Sequence, residues 1–243
     1  MREVGCGAIC GESGFGVGRI LARCLLTECQ QETRGVVQVS ETVFDRIEQA
    51  RARYDVLQHP FYQRWSAGEL TMDELARYAG QYRYATQAIA TLSERAADQA
   101  PEKRQAELER HAVEETEHVG MWDQFVEATG GTVGAEPTAE TTECVDSWTS
   151  DDGYLASLAR LYAIESGQPE ISRTKIEGLA AFYDMEGGPG VEYFEVHQTM
   201  DVAHADQAKR LIEEEMSPEQ ADEVVAAAEE AFKANWRLLD GVA

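Results

Sequence analysis

From Ser40 onward the apolar residues recur with the period of an α-helix, and no run alternates apolar with polar residues as a half-buried strand does. That property confines the chain to an all-α architecture. "ETVFDRIEQARARYDVL" is a first amphipathic stretch, and "HPFYQRWSAGEL" is broken at Pro60 and again at Gly68. Thr71 and Glu74 have capping-box spacing and open "TMDELARYAGQYRYATQAIATLSERAADQA". Pro101 opens a fourth stretch, which closes at Gly130-Gly131, and a loop runs from there to about Thr138. "DDGYLASLARLYAIESG" follows, is interrupted at Pro169, and gives way to "EISRTKIEGLAAFYD" and a Gly-Gly-Pro-Gly turn. A His-bearing stretch comes next, and Ser217-Pro218 start the last one. The pattern predicts about seven or eight helices in one bundle domain, residues 39–243, with room for a metal site among facing helices and no internal repeat.

The first 38 residues do not share this pattern. Residues 1–37 contain four acidic residues and four Arg, so the net charge of -24 lies wholly downstream. They also hold seven of the twenty Gly and four of the five Cys. Three readings compete: an upstream extension, with translation starting near Val36, Val37 or Val39; a disordered tail; or a small metal or phosphate site. The Cys6–Cys10 and Cys24–Cys29 spacings fit zinc patterns poorly, and "GFGVG" follows no strand signal. The expectation is therefore one of the first two readings. The segment lacks a long apolar signal-peptide core, and no stretch approaches the ~20 apolar residues of a membrane span.

The charge itself narrows the partners. With 45 acidic against 21 basic residues, phosphate backbones are repelled, which argues against nucleic acid. Lysine is confined to Lys103, Lys175, Lys209 and Lys233, and Arg supplies the remaining cations. So acidic and Lys-poor a globular chain has the composition of adaptation to high salt, where surface charge serves solvation. Cys144, alone in the body of the chain, points to a reducing, cytoplasmic setting.

The chemistry concentrates in "VHQTMDVAHADQAKRLI". His197, Asp201 and His204 are spaced by four and three residues, which places them within ~40° of one another on one helix face. Two imidazoles and a carboxylate suit Fe(II), with Mn(II) or Zn(II) as alternatives. The competing reading is a solvated face with incidental histidines. A second set lies in "HAVEETEHVGMWDQF": Glu115-x2-His118 is the spacing used by carboxylate-bridged di-iron bundles, and Glu114 also shares a face with His118. Glu165 stands among Leu161, Tyr162, Ala163 and Ile164, and a carboxylate on an apolar face needs a partner, either a metal or Arg160.

"HPFYQRWSAGELT", "YAGQYRY", "LYAIESGQPEISRTKIEGL" and "YFEVHQTMDVAHADQAKRLI" resemble the heme-oxygenase-like di-metal oxidases, over about residues 45–239. Within that superfamily they are most similar to the self-modifying p-aminobenzoate synthases of the CADD type. The resemblance implies a heme-oxygenase-like helical bundle and two iron ions (or an Fe/Mn pair) with O2 as co-substrate. It implies metal ligands at Glu114 or Glu115, His118, Glu165, His197, Asp201 and His204. The segment between the first Glu and its His is shorter here, which leaves that Glu open between the two. It further implies that Tyr62 is the source of an aromatic ring, Lys175 an amino donor, and Tyr193 a residue near the metals. The product would be p-aminobenzoate for folate-type cofactors. A relay tyrosine preceding Glu165 has no counterpart: the residue is Ile164, although Tyr162 is close in sequence. A homodimer is implied by analogy alone.

The residues lend independent weight to Lys175. Arg would serve an ion pair equally well, whereas only Lys yields a free primary amine when its pKa is lowered. The ordinary alternative is a surface Lys paired with Glu170 or Glu177. Two rival functions remain. The same fold hosts metal-free TenA-type thiaminases and PqqC-type quinone-cofactor synthases, but Cys144 in the polar, loop-like "TTECVDSW" is a poor catalytic thiol. A regulatory role finds no basic helix-turn-helix. The expected substrate is a small molecule or the enzyme's own side chains.

Overall fold

The computed structural model describes residues 41–243, and the expectations for residues 1–38 lie outside them. In chain order the helices are α1 (Val43–Arg53), α2 (Pro60–Ala67), α3 (Met72–Gln99), α4 (Glu102–Ala128), α5 (Ala139–Trp148), α6 (Tyr154–Glu165), α7 (Gln168–Phe182), α8 (Glu192–Glu215) and α9 (Ala221–Asp240). Short 3₁₀ turns at Val56–Gln58 and Pro218–Gln220 lead into α2 and α9. No strand occurs among the described residues.

Local signals set most of the boundaries. Thr42 caps α1 and Thr71 caps α3, each reciprocated by the acid three residues on, Asp45 and Glu74. Gly68 ends α2 in the left-handed region, at φ 66°. Pro169 does not break a helix; it sits in the first turn of α7, after a two-residue joint at Ser166-Gly167.

One element departs from the expectation. "TTECVDSW", read as loop-like, is helix α5. Its N-cap is Thr138, whose hydroxyl accepts from the Thr141 N–H at 3.1 Å. Thr141, Cys144 and Trp148 form its buried stripe at i, i+3 and i+7. A stripe of one Thr, one Cys and one Trp carries little apolar signal, so the local periodicity is faint. Cys144 is fully buried, and burial pushes its thiol pKa well up, which removes it from nucleophilic chemistry.

α3 packs along α4, α5 against α9 and α3, α7 against α8 and α2, and α1 against α9. α6 lies at the centre, packed on α8, α9 and α3, and every residue from Ala156 to Glu165 is buried. That is the signature of a helix enclosed on all sides. α9 contributes Phe232, Leu238 and Leu239 to the core, each burial contributing roughly 1.5–3 kcal/mol. Gly178 on α7 lies against the Trp65 indole of α2, where a Cβ would collide with the ring. This close approach holds α2, with Tyr62, beside α7, with Lys175. No helix among the described residues is long and apolar enough to cross a membrane.

Candidate metal centre

α4 and α8 carry the same pattern on facing sides. On α4 it is His111, Glu115 and His118; on α8 it is His197, Asp201 and His204. Both read His-x3-carboxylate-x2-His, which aligns the three side chains on one helix face. All six are buried. The ring centroids of His118 and His197 are 4.4 Å apart, and those of His111 and His204 are 4.0 Å apart. The first His of one triad therefore meets the last His of the other. Glu165, the final residue of α6, enters from the side, its Oε1 2.9 Å from His111 Nε2.

Glu115 lies in the middle of this arrangement. Its Oε1 is 3.1 Å from His118 Nδ1, 3.6 Å from His204 Nδ1 and 3.8 Å from His111 Nε2. Two groups of atoms are compact enough to hold an ion: His111, Glu115 and His204, and Glu115, His118 and His197. Glu115 belongs to both. Glu114 does not: its side chain is 43% exposed, and its Oε2 accepts from His204 Nε2 at 3.0 Å on the outer side of the ring.

Hydrogen bonds fix which nitrogen of two imidazoles faces the centre. His197 Nδ1–H donates to the Tyr193 carbonyl at 2.6 Å, which leaves the Nε2 lone pair pointing inward. His204 Nε2–H donates to Glu114, which leaves Nδ1 pointing inward. An outer acceptor that sets the tautomer of a ligating imidazole is the usual companion of a metal site.

The inward atoms make no well-aligned hydrogen bond to the protein. His111 Nε2, His197 Nε2, His204 Nδ1 and both carboxylate oxygens of Glu165 and of Asp201 are buried without a hydrogen bond. Folded proteins leave only a few such atoms, so seven at one point call for an explanation. Seven converging polar atoms, from three imidazoles and two carboxylates, fit cations and little else. Burial and charge pull against each other here. Burial disfavours the Glu115 carboxylate, yet the His118 hydrogen bond and the neighbouring imidazoles hold its pKa down to about 2. Burial lowers the His204 pKa, yet Asp201, Glu165 and Glu115 reverse this and hold it up to about 9. Burial raises the Asp201 carboxyl and lowers His197. The surplus of buried carboxylates is the electrostatic complement of divalent ions.

A second arrangement adjoins the first. Lys175 is 1% exposed, and its Nζ is surrounded by the rings of Phe194 at 4.9 Å, Tyr82 at 5.0 Å, Trp122 at 5.2 Å, Tyr78 at 5.4 Å and Tyr62 at 5.8 Å. It is no surface lysine, and it pairs with neither Glu170 nor Glu177. Burial pushes its pKa down to about 7. Tyr62 is buried on α2, its hydroxyl 3.2 Å from that of Tyr78, and burial pushes its phenol up. Tyr193 stacks on His197 at 3.8 Å, with an interplanar angle of 19°. Trp122 stands 4.7 Å from Tyr193, 5.0 Å from Tyr82 and 6.0 Å from Tyr78. The rings form one column from His197 to Tyr62.

Two expected contacts are absent. Tyr162 packs on Phe44 at 5.1 Å and donates to Glu48 at 3.2 Å, so it lies off the column. Arg160 pairs with Asp152, not Glu165. One residue of the centre escapes a reading based on the E-x-x-H spacing: His111. Its signal is present, because "HAVEETEH" repeats the His-x3-carboxylate-x2-His spacing of α8. Between the centre and solvent lies a cavity of about 640 Å³, lined by His111, His204, Glu114, Arg110 and Arg210 among others.

A family model described as "Iron-containing redox enzyme" matches residues 76–236. A 4-aminobenzoate synthase of Nitrosomonas europaea is 34% identical over 211 residues, covering 77% of this chain and 85% of that protein. A 4-aminobenzoate synthase of Chlamydia trachomatis is 31% identical over 219 residues, covering 84% and 94%. Among solved structures, a TenA homologue from P. horikoshii superposes with a TM-score of 0.69 at 15% identity, covering 83% of this chain and 98% of that one. A CADD-like protein of unknown function from Nostoc punctiforme gives 0.67 at 18% identity, covering 82% and 95%.

Proposed function

This chain belongs to the iron-containing redox enzymes, and from that premise we propose that it is a non-haem di-iron (or iron–manganese) oxidase that makes p-aminobenzoate from its own side chains. It is an oxidoreductase of heme-oxygenase-like fold. The observation that carries the finer reading is the adjacency of a buried, partner-poor His/carboxylate centre to a buried lysine inside a cage of tyrosines.

The residues that would hold the metals are Glu115, His118, Glu165, His197, Asp201 and His204, with Glu114 orienting His204 from outside. The bound pair would supply O2 activation and oxidising equivalents. The rest of the work falls to the chain. The Tyr193 carbonyl holds His197 in one tautomer. The column from Tyr193 through Trp122 to Tyr78, joined to Tyr62 through the two hydroxyls, excludes water and offers an electron leaving Tyr62 a path through adjoining side chains. It compensates for Ile164, which has no redox-active ring. The Tyr78 hydroxyl, 3.2 Å away, holds the Tyr62 phenol by a hydrogen bond. Lys175, with its pKa near 7, presents a free amine in a good share of molecules at neutral pH, 5.8 Å from the Tyr62 ring centre. On this reading Tyr62 supplies the ring and Lys175 the nitrogen.

The sequence relatives named 4-aminobenzoate synthase support this product. The metal-free alternative has no support in the geometry, since Cys144 is buried on α5. A cytoplasmic, reducing setting accords with the unpaired Cys144 and would keep iron ferrous before O2 arrives. The cavity at His111 and His204 favours one competing reading, a separate small molecule as substrate.

Anaerobic iron loading, then O2 and a reductant, distinguishes them. The expected result is p-aminobenzoate in amounts no greater than the protein present, with a matching mass change in the chain. Tyr62→Phe and Lys175→Arg should each abolish release while keeping the metals. Unchanged product in Tyr62→Phe, or many turnovers with an added small molecule, would establish an ordinary oxygenase instead.

A further inference from the structure

The metal-ligand set implied by family resemblance has no place for His111. Yet His111 is 3% exposed, and its Nε2 has no hydrogen bond. That atom faces Glu165 Oε1 at 2.9 Å and Glu115 Oε1 at 3.8 Å. Its ring lies 4.0 Å from His204. His111, Glu115 and His204 form one of the two compact donor groups in the described residues.

The relation between the two helices gives this contact a meaning. α4 and α8 present the same His-x3-carboxylate-x2-His triad in opposite directions. The antiparallel pairing of the two helices sets His111 against His204 and His118 against His197. Each pair, together with Glu115, forms a compact donor group. Without His111 the second position would have a single imidazole, and the two positions would be chemically unlike. With it, each has two imidazoles and a share of Glu115. Glu165, which lies only at the His111 end, then supplies the remaining asymmetry.

The ordinary alternative is that His111 is an ion-pair partner that neutralises Glu165. A purely structural partner would donate a well-aligned hydrogen bond to Glu165. The 2.9 Å contact is short enough to pair, yet it is not aligned as a hydrogen bond, and both Glu165 oxygens remain turned toward the centre.

We propose that His111 is a metal ligand, completing with His204, Glu115 and Glu165 a second ion position beside the one at His118 and His197. The inference rests on the dinuclear reading above and adds a residue to it. Imidazole in place of a carboxylate lowers the negative charge of that position and favours borderline ions such as Fe(II), Co(II) or Zn(II) over Mn(II) and Mg(II).

Co(II) binding to the metal-free protein tests this without recourse to activity. Wild type should bind about two Co(II) per chain, with visible absorption from nitrogen-ligated cobalt. His111→Gln retains a donor toward Glu165 but loses the imidazole. It should bind one Co(II) normally and the second at least about ten-fold more weakly, with the visible spectrum changed. His111→Ala should behave likewise, and added imidazole, entering through the adjoining cavity, should restore the second ion. His118→Ala should lose the other ion and keep the His111 position. Melting of the metal-free variants checks their folding, and His111→Gln remains informative if His111→Ala is unfolded. If His111→Gln binds two Co(II) with wild-type affinity and spectrum, His111 is no ligand, while the dinuclear reading stands. If wild type itself binds no Co(II) or Fe(II), the dinuclear reading falls and His111 with it.

Discussion

Lys175 is a residue that stability alone would not select. Burial depresses its pKa from 10.5 to about 7, so the folded chain binds this proton less tightly than the unfolded chain. The unfolded state therefore holds the extra proton between those values, and stability rises with pH across that window. Below about pH 7 the penalty is complete, and above about pH 10.5 it is gone. At neutral pH it is on the order of 4 kcal/mol, with attraction from the surrounding ring faces returning part of it. Lys175→Met should therefore stabilise the protein at pH 7, by calorimetry or urea melts, with the gain shrinking toward pH 10. A variant less stable than wild type at pH 7 would mean that the amine has a partner that compensates its burial. Scarcity of lysine makes Lys175 conspicuous in the sequence, but its burial and its ring cage come from helices far apart in the chain. His111 shows the opposite case. Its spacing to Glu115 and His118 is local and readable, yet the E-x-x-H pattern alone stops one turn short of it.

Helix contacts set the distance between the candidate reactants. Gly178 lets α7 lie against Trp65, so Gly178→Ala should force the indole aside and move Tyr62 away from Lys175. Overpacking of this kind costs about 1–3 kcal/mol. The expected outcome is a modest loss of stability, reduced p-aminobenzoate yield and unchanged metal content; full yield would show that the α2–α7 spacing is unimportant. Trp122 joins rings from α3 and α8, and its indole N–H donates to the Ala79 carbonyl at 2.8 Å. Trp122→Phe should slow the O2-dependent modification of Tyr62, followed by mass spectrometry of the intact chain, without loss of metal. An unchanged rate would remove Trp122 from the electron path. The helices themselves were largely legible, because the capping box at Thr71 and the breaks at Gly68 and Gly130-Gly131 mark boundaries locally. α5 was not, because Thr141, Cys144 and Trp148 make a stripe too mixed to register, and only packing against α9 and α3 buries it. Neither was the ring column, which exists only once α2, α3, α4 and α8 are assembled.

Across the whole molecule the net charge of -24 opposes compaction. Salt screens that repulsion, with a Debye length of about 3 Å at 1 M, so the melting temperature should rise steeply with KCl. A flat response would contradict the reading of the composition as salt adaptation. Residues 1–37 carry none of this net charge, and none of the site residues lies within them. Their deletion should leave folding and metal content intact, as judged by circular dichroism and elemental analysis; lost metal would tie the segment to the centre. The central claim concerns the face shared by α4 and α8, where seven buried side chains converge on a dinuclear centre. Mössbauer spectroscopy of protein loaded anaerobically with iron-57 and then exposed to O2 tests it most directly. The prediction is about two iron ions per chain whose ferric spins couple to a diamagnetic ground state, with the coupled signal lost in His197→Ala. Isolated, magnetically split ferric ions, or iron no higher than in that variant, would contradict it.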